Sequence, residues 1–192
     1  MDLERMVAKC RRDQWNADDL DWSCTPRPMP ADDEVAIVQY FTNMAGIERL
    51  AGELFREQHA REKNPVLREI FASFVVDELR HAEVAERLAR HYDVHAFRTY
   101  EMNPALVRFS PHFVNAIKFL TADVATLYIT TGELILDVAL LRSLDDFVND
   151  TMSRQAMDKI NRDESRHIAV DFHMVDTYSS EEYLREKKTH PR

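Results

Sequence analysis

The sequence predicts an all-α protein: four long helices in a bundle, with a long crossover between the second and the third. Three observations carry this. Only three glycines occur in 192 residues, while Ala, Leu, Glu and Arg are abundant and alternating β-branched runs are scarce, a composition that suits helices. Apolar residues recur at intervals of three and four through four stretches. Start and stop signals, Lys63-Asn64-Pro65 and Asn149-Asp150-Thr151 among them, fall between those stretches.

Residues 1–30 form a separate compositional zone, an N-terminal arm with Trp15 and Trp22 in a polar setting. Pro26, Pro28 and Pro30 forbid a regular helix there, and the tryptophans are expected to pack onto the bundle or a partner subunit. Residues 31–178 make the bundle. Its first helix runs from about Asp32 to Glu62 with a stripe of Ile37, Phe41, Met44, Ala51 and Phe55. Glu48 falls within this stripe, whereas Glu53 shares its face with Arg49, Arg56 and Glu57. A lone ionised carboxylate on a buried face is costly unless it is paired or bound to metal, so Glu48 stands out.

The second helix, from about Val66 to His91, carries Leu67, Phe71, Phe74, Ala85 and Leu88 on its stripe, with Glu78 and His81 in the same register. The connection from Tyr92 to about Ser110 includes a short helix opened by Asn103 and Pro104. Extended, it spans roughly 60 Å, more than the second helix at about 1.5 Å per residue. The third helix can therefore start at either end of the bundle. Ser110-Pro111 and Thr121-Ala122-Asp123 are both start signals for it. Its stripe is Thr126, Ile129, Thr130, Glu133, Asp137 and Leu140, and its end lies near Ser143. The fourth helix continues to about Asp176 with Met157, Ile160, Glu164, His167, Asp171 and Met174 inward. Phe41, Phe74, Tyr128 and Phe172 read as core. Residues 179–192 are a tail in which Ser179-Ser180-Glu181-Glu182 opens a short helix.

A formal charge of −9 and a pI near 5.4, with basic residues interspersed among acids, argue against nucleic-acid binding. No apolar run approaches the roughly 20 residues that span a bilayer, and Met1-Asp2-Leu3-Glu4-Arg5 opens no signal peptide. A cytoplasmic location is expected. Cys10 and Cys24 form no disulfide framework.

Two pentapeptides repeat one pattern: Asp77-Glu78-Leu79-Arg80-His81 and Asp163-Glu164-Ser165-Arg166-His167. Glu and His three apart lie just under one turn from each other, so carboxylate and imidazole leave the same helix face and can grip one metal ion. Two copies suggest two ions. Antiparallel helices bring into register residues equidistant from their turn. The midpoint of Glu48 and Glu78 is position 63, at the first break. That of Glu133 and Glu164 falls between Val148 and Asn149, at the second. Four glutamates and two histidines thus converge in one layer. The candidate metal ligands are Glu48, Glu78, His81, Glu133, Glu164 and His167. Two divalent ions would neutralise the four carboxylates.

A Glu from each of two helices plus a Glu-x-x-His from each of the other two resembles the ligand set of the ferritin-like di-iron carboxylate superfamily. The likeness covers roughly Ala31 to Asp176, and the paired DExRH is most similar to the oxygenase branch, which includes bacterial multicomponent monooxygenases. The resemblance implies a ferritin-like four-helix bundle holding two Fe ions, or Mn or mixed Mn/Fe. It further implies an oxygenase that uses dioxygen and a small, mostly apolar organic substrate, with an electron-donor protein and a homodimeric state as further expectations. By the same likeness Asp77 would hold His81 and Asp163 would hold His167, with Arg80 and Arg166 pairing to the aspartates. Asp137 and Asp171, one turn beyond ligands, would support the site. Thr130, one turn before Glu133, would offer a catalytic hydroxyl. Ala85 stands where a ribonucleotide reductase small subunit carries its radical tyrosine, and Ile160 where an amine N-oxygenase carries an extra histidine. The alternative is a ferroxidase or a rubrerythrin-like protein that handles iron or peroxide.

Overall fold

A computed structural model describes residues 1–96, 100–135 and 148–189. Among them the regular structure is entirely helical: α1 (Leu3–Arg12), α2 (Ala31–Arg61), α3 (Pro65–Tyr92), α4 (Pro104–Phe119), α5 (Ala122–Leu134), α6 (Thr151–Tyr178) and α7 (Glu181–Thr189), with one 3₁₀ turn at Ala17–Asp19. No described helix is long and apolar enough to cross a membrane.

The helix ends follow the local chemistry. Asn64 caps α3 by accepting from the backbone N–H of Val66 at 2.9 Å, with Pro65 pre-set for the first helical position. Asn103 and Pro104 repeat the device for α4. Asp150 caps α6 by accepting from the Ser153 N–H at 2.9 Å. Two expectations need correction. Ser110-Pro111 starts no helix. Pro111 lies inside α4, where the Ser110 hydroxyl donates to the Leu106 carbonyl at 2.7 Å, and the restart falls at Thr121. The N-terminal zone is not free of helix either. Its prolines govern only residues 26–30, and α1 forms ahead of them, capped by Asp2.

α2 and α3 form a hairpin about the Glu62–Asn64 turn. α6 runs antiparallel to α3, since Phe74 meets His167 while Tyr92 donates to Asp150 at 2.7 Å. Among the described residues the core divides into two apolar clusters. One gathers Ile37, Phe41 and Met44 of α2, Val84 and Leu88 of α3, and Met152, Met157 and Ile160 of α6, together with Trp15 and Leu20 of the arm. The other gathers Leu54 and Phe55, Phe71 and Phe74, Ala125 and Ile129, Val170 and Met174, with Val7 and Cys10 of α1. Along α2, α3 and α6 the gap between the clusters falls at residues 48, 77–81 and 163–167. The polar layer is therefore plugged by hydrocarbon on both sides.

The expected stripes are buried wherever the structure describes them. Asp137, Leu140 and the end of the third helix at Ser143 lie outside the described residues. Of the expected core aromatics Phe41 and Phe74 are buried, Tyr128 is half-buried against the second cluster, and Phe172 is the exception. It is half exposed, because one residue after the inward-facing Asp171 a helix has turned by about 100°. Ala85 and Ile160 are fully buried.

A Cβ on Gly46 would overlap Sδ of Met102, in the connection folded over α2, so an alanine there has to displace that flexible side chain. A Cβ on Gly132 meets nothing within 4 Å among the described residues. Thermal unfolding should accordingly show Gly46→Ala gaining less stability than Gly132→Ala, because Met102 has to move. Gly132→Ala should be more stable by up to about 1 kcal/mol, the helix-propensity difference.

Candidate metal centre

Each of the six candidate ligands is delivered by a helix whose neighbouring stripe residues are locked in one of the two apolar clusters. Glu48 comes from α2, Glu78 and His81 from α3, Glu133 from α5, and Glu164 and His167 from α6, and all are buried. Their ligating atoms form two overlapping groups, Glu48, Glu78, His81 and Glu164 in one and Glu78, Glu133, Glu164 and His167 in the other. Within each group the atoms lie within 4.8 Å of one another, an arrangement able to hold a metal ion. Glu78 and Glu164 belong to both. Glu53, by contrast, is exposed and paired with Arg56.

Both imidazoles turn Nδ1 toward the carboxylates. His81 Nδ1 lies 3.1 Å from Glu164 Oε1, and His167 Nδ1 lies 3.0 Å from Glu78 Oε1 and 3.2 Å from Glu164 Oε2. Yet, among the described residues, both Nδ1 atoms, both oxygens of Glu78 and Oε2 of Glu164 are buried without a hydrogen-bond partner. The donors face a common space rather than each other. Buried polar atoms are ordinarily satisfied, so this set of orphans is what a cation would complete.

Behind the imidazoles lies a second polar layer, and here the expected pairing is corrected. His81 Nε2 is 3.0 Å from Asp163 Oδ2 and His167 Nε2 is 3.4 Å from Asp77 Oδ2. Each histidine is therefore held by the aspartate of the other helix. With Nδ1 aimed into the cluster, Nε2 points outward across the α3/α6 contact, away from its own helix. Arg80 bridges Asp77 and Asp163, the latter at 2.9 Å. Arg166 bridges Asp163 and Asp77, the latter at 3.2 Å. Two acids and two guanidiniums thus form a reciprocal, charge-balanced square.

The arm closes this layer with Gln14, which no sequence pattern marked, and with Trp15, which is buried on the helices as expected. Trp15 Nε1 donates to Asp163 Oδ2 at 2.7 Å. Gln14 Nε2 donates to Asp77 Oδ1 at 3.1 Å and its Oε1 accepts from Arg80 at 2.8 Å. The only advance signal was chemical: a buried tryptophan needs a partner for its N–H.

The electrostatics follow from burial. Burial, reinforced by neighbouring carboxylates, pushes the Glu48 and Glu133 carboxyls well above the usual range. Burial also disfavours charge on Glu164, but the adjacent imidazoles outweigh it and hold that carboxyl low. The histidines behave in mirror image. Burial alone would lower them, but Asp163 and the glutamates raise His81, while Glu164 and Asp77 raise His167. Without a cation the cluster balances itself with protons that a cation would displace.

The Thr130 hydroxyl donates to the Thr126 carbonyl at 2.9 Å and sits beside Asp171. Among the described residues neither oxygen of Asp171 has a well-formed hydrogen bond, and burial pushes its carboxyl up to about 7. Between its ordinary 3.8 and that value, the folded chain keeps a proton that the unfolded chain has released, so stability falls as pH rises through the window. Asp171→Asn should therefore stabilise the metal-free protein at pH 8, on the order of 3 kcal/mol. The gain should vanish near pH 4 in urea titrations.

His173 on α6 is half-buried and outside both groups. His95 serves elsewhere: its backbone N–H donates to buried Glu34 at 2.8 Å, and its Nδ1 lies 2.8 Å from the same carboxylate. Compared with protein-family models, curated proteins and solved structures, the chain finds no match.

Proposed function

We propose that the chain is a ferritin-like four-helix bundle of the di-iron carboxylate type. On this reading it acts as a dioxygen-activating oxidoreductase of the oxygenase class on a small, mostly apolar organic substrate. The observation that carries the reading is the pair of overlapping four-residue groups with Glu78 and Glu164 in common, lined by buried donor atoms that lack partners. α2, α3, α5 and α6 are the four bundle helices, with α4 in the crossover. Glu48, Glu78, His81 and Glu164 would hold one iron, and Glu78, Glu133, Glu164 and His167 the other. When bound, such a pair supplies the electrons that reduce dioxygen, and mixed carboxylate and imidazole donors suit iron or manganese.

The chain's own residues set the conditions for that chemistry. Glu48 and Glu133 release their protons as cations enter. Asp163 and Asp77 accept from the Nε2–H of His81 and His167, which keeps Nδ1 free to ligate. The two apolar clusters keep bulk water from the layer. A cavity of ≈ 50 Å³ is lined in part by Phe71, Ile117, Ala125, Thr126 and Met174. Gln58, Arg61 and Glu62 at the α2/α3 turn line it as well, and Thr126 lies two turns before Glu133 along α5.

The test is to load the protein anaerobically with Fe(II) and admit ¹⁸O₂ in the presence of a panel of small apolar compounds. Label in an organic product, lost in Glu133→Ala, is the expected result. Fe(II) oxidation that only deposits ferric mineral would replace the oxygenase with a ferroxidase.

A further inference from the structure

We propose that the N-terminal segment is a clamp on the metal centre: Gln14 and Trp15 are positioning residues that fix the two histidines through the aspartates behind them. The proposal rests on the metal-binding reading above but concerns residues outside the bundle and outside both DExRH motifs.

The two residues divide the work. The Trp15 indole N–H donates to Asp163 Oδ2, the same oxygen that faces His81 Nε2. Its ring lies roughly parallel to the His81 ring, 29° between planes and 6.4 Å between centroids. The Arg80 guanidinium lies 4.8 Å from the centre of the indole and the Lys159 ammonium 5.1 Å, so cations flank the tryptophan. Gln14 serves the other histidine. Its Nε2 donates to Asp77 Oδ1, and the remaining oxygen of Asp77 faces His167 Nε2. Its Oε1 takes an N–H of Arg80, which joins the two halves of the square.

The segment is anchored on both sides of this contact. Val7 and Cys10 enter the apolar cluster at one end of the bundle, and Ala17 and Leu20 enter the cluster at the other. Residues 14 and 15 are thereby set at the level of the polar layer between them. Ion pairs from Arg11 to Glu69 and from Arg87 to Asp18 tie the same segment to α3. Removing the segment would leave an oxygen of each aspartate with one donor fewer, and each imidazole with a looser support. By linkage, whatever the docked segment adds to cation affinity, the bound cation returns as tighter docking.

The test uses the full chain, with Trp15→Phe, Gln14→Met and, as a packing control, Trp22→Phe. The Trp22 indole N–H donates to the Ala17 carbonyl, and its ring packs on the first apolar cluster beside His91 and Arg87 without touching the aspartates or the candidate ligands. Mn(II) alone is titrated anaerobically into each. Trp15→Phe and Gln14→Met should each weaken binding by up to about 10-fold, the low end of the effect of losing a group that orients a ligand directly, with stoichiometry unchanged. Trp22→Phe should bind as the parent does. Mn(II) should also slow protease cleavage within residues 20–30 of the parent, and less so in Trp15→Phe. Equal affinities across the folded variants, or equal weakening by Trp15→Phe and Trp22→Phe, would overturn the clamp while leaving the metal reading intact. A parent chain that binds no Mn(II) or Fe(II) would overturn both.

Discussion

Glu164→Ala should abolish binding of both metal ions, whereas Glu48→Ala should leave one bound. The two candidate groups share Glu78 and Glu164 but differ in Glu48 and His81 against Glu133 and His167. Removing a shared carboxylate strips a ligand from each group and leaves two imidazoles facing fewer anions in a buried layer. Removing Glu48 empties only its own group. The loss in Glu164→Ala should exceed the roughly 10–100-fold cost of a lost supporting partner, read as ions per chain after dialysis against a fixed free-metal buffer. Retention of two tightly bound ions by Glu164→Ala would place the binding elsewhere.

The largest expected effect on the metal-free fold comes from Asp163→Ala, at about 3–5 kcal/mol of destabilisation, the usual consequence of deleting one member of a buried ionic network. Asp163 accepts from Trp15, Arg80 and Arg166 and holds His81. Burial alone would raise its carboxyl, but His81, Trp15 and Arg166 together hold it well below the carboxylate range. Alanine leaves two guanidiniums sharing Asp77 alone and an indole N–H without an acceptor. Arg166 is fully buried, so water cannot readily replace the lost partner. The shift of the urea midpoint at neutral pH measures this, and a change below about 1 kcal/mol would show that the network contributes little.

Most of the site was legible because helices translate spacing into faces. Glu78 with His81, and Glu164 with His167, need only the three-residue interval. Glu48 was separated from Glu53 by its place in an apolar stripe, and Glu133 was found by its distance from the second turn. What was not legible depends on how helices face one another. The exchange of aspartates between histidines is fixed by the direction in which each Nε2 leaves its helix, which no single-helix pattern encodes. Gln14 escaped, as did the bond from Trp15 to Asp163, although the packing of Trp15 onto the helices was expected, and the reason is related. Trp15 and Asp163 are 148 residues apart, and although Leu3, Met6, Val7 and Cys10 recur at helical spacing, nothing in that stripe points to the aspartates. Pro111 shows the converse, a strong start signal overridden because α4 was already under way and tolerates the missing N–H.

The fold class was the easier inference, since capping residues and stripes act within a few turns of chain. Two apolar clusters separated by one charged layer also explain why the stripes read continuously through Glu48, Glu78 and Glu164. The layer occupies core positions, and its burial is tolerable only with its charges matched.

The most direct measurement is metal content. Protein purified without chelator, loaded with Fe(II) or Mn(II) and desalted, should carry two ions per chain by elemental analysis. Anomalous scattering should place both among Glu48, Glu78, His81, Glu133, Glu164 and His167. A chain that holds no ion after loading, or holds its ions away from these six side chains, would contradict the assignment of this cluster as a metal centre.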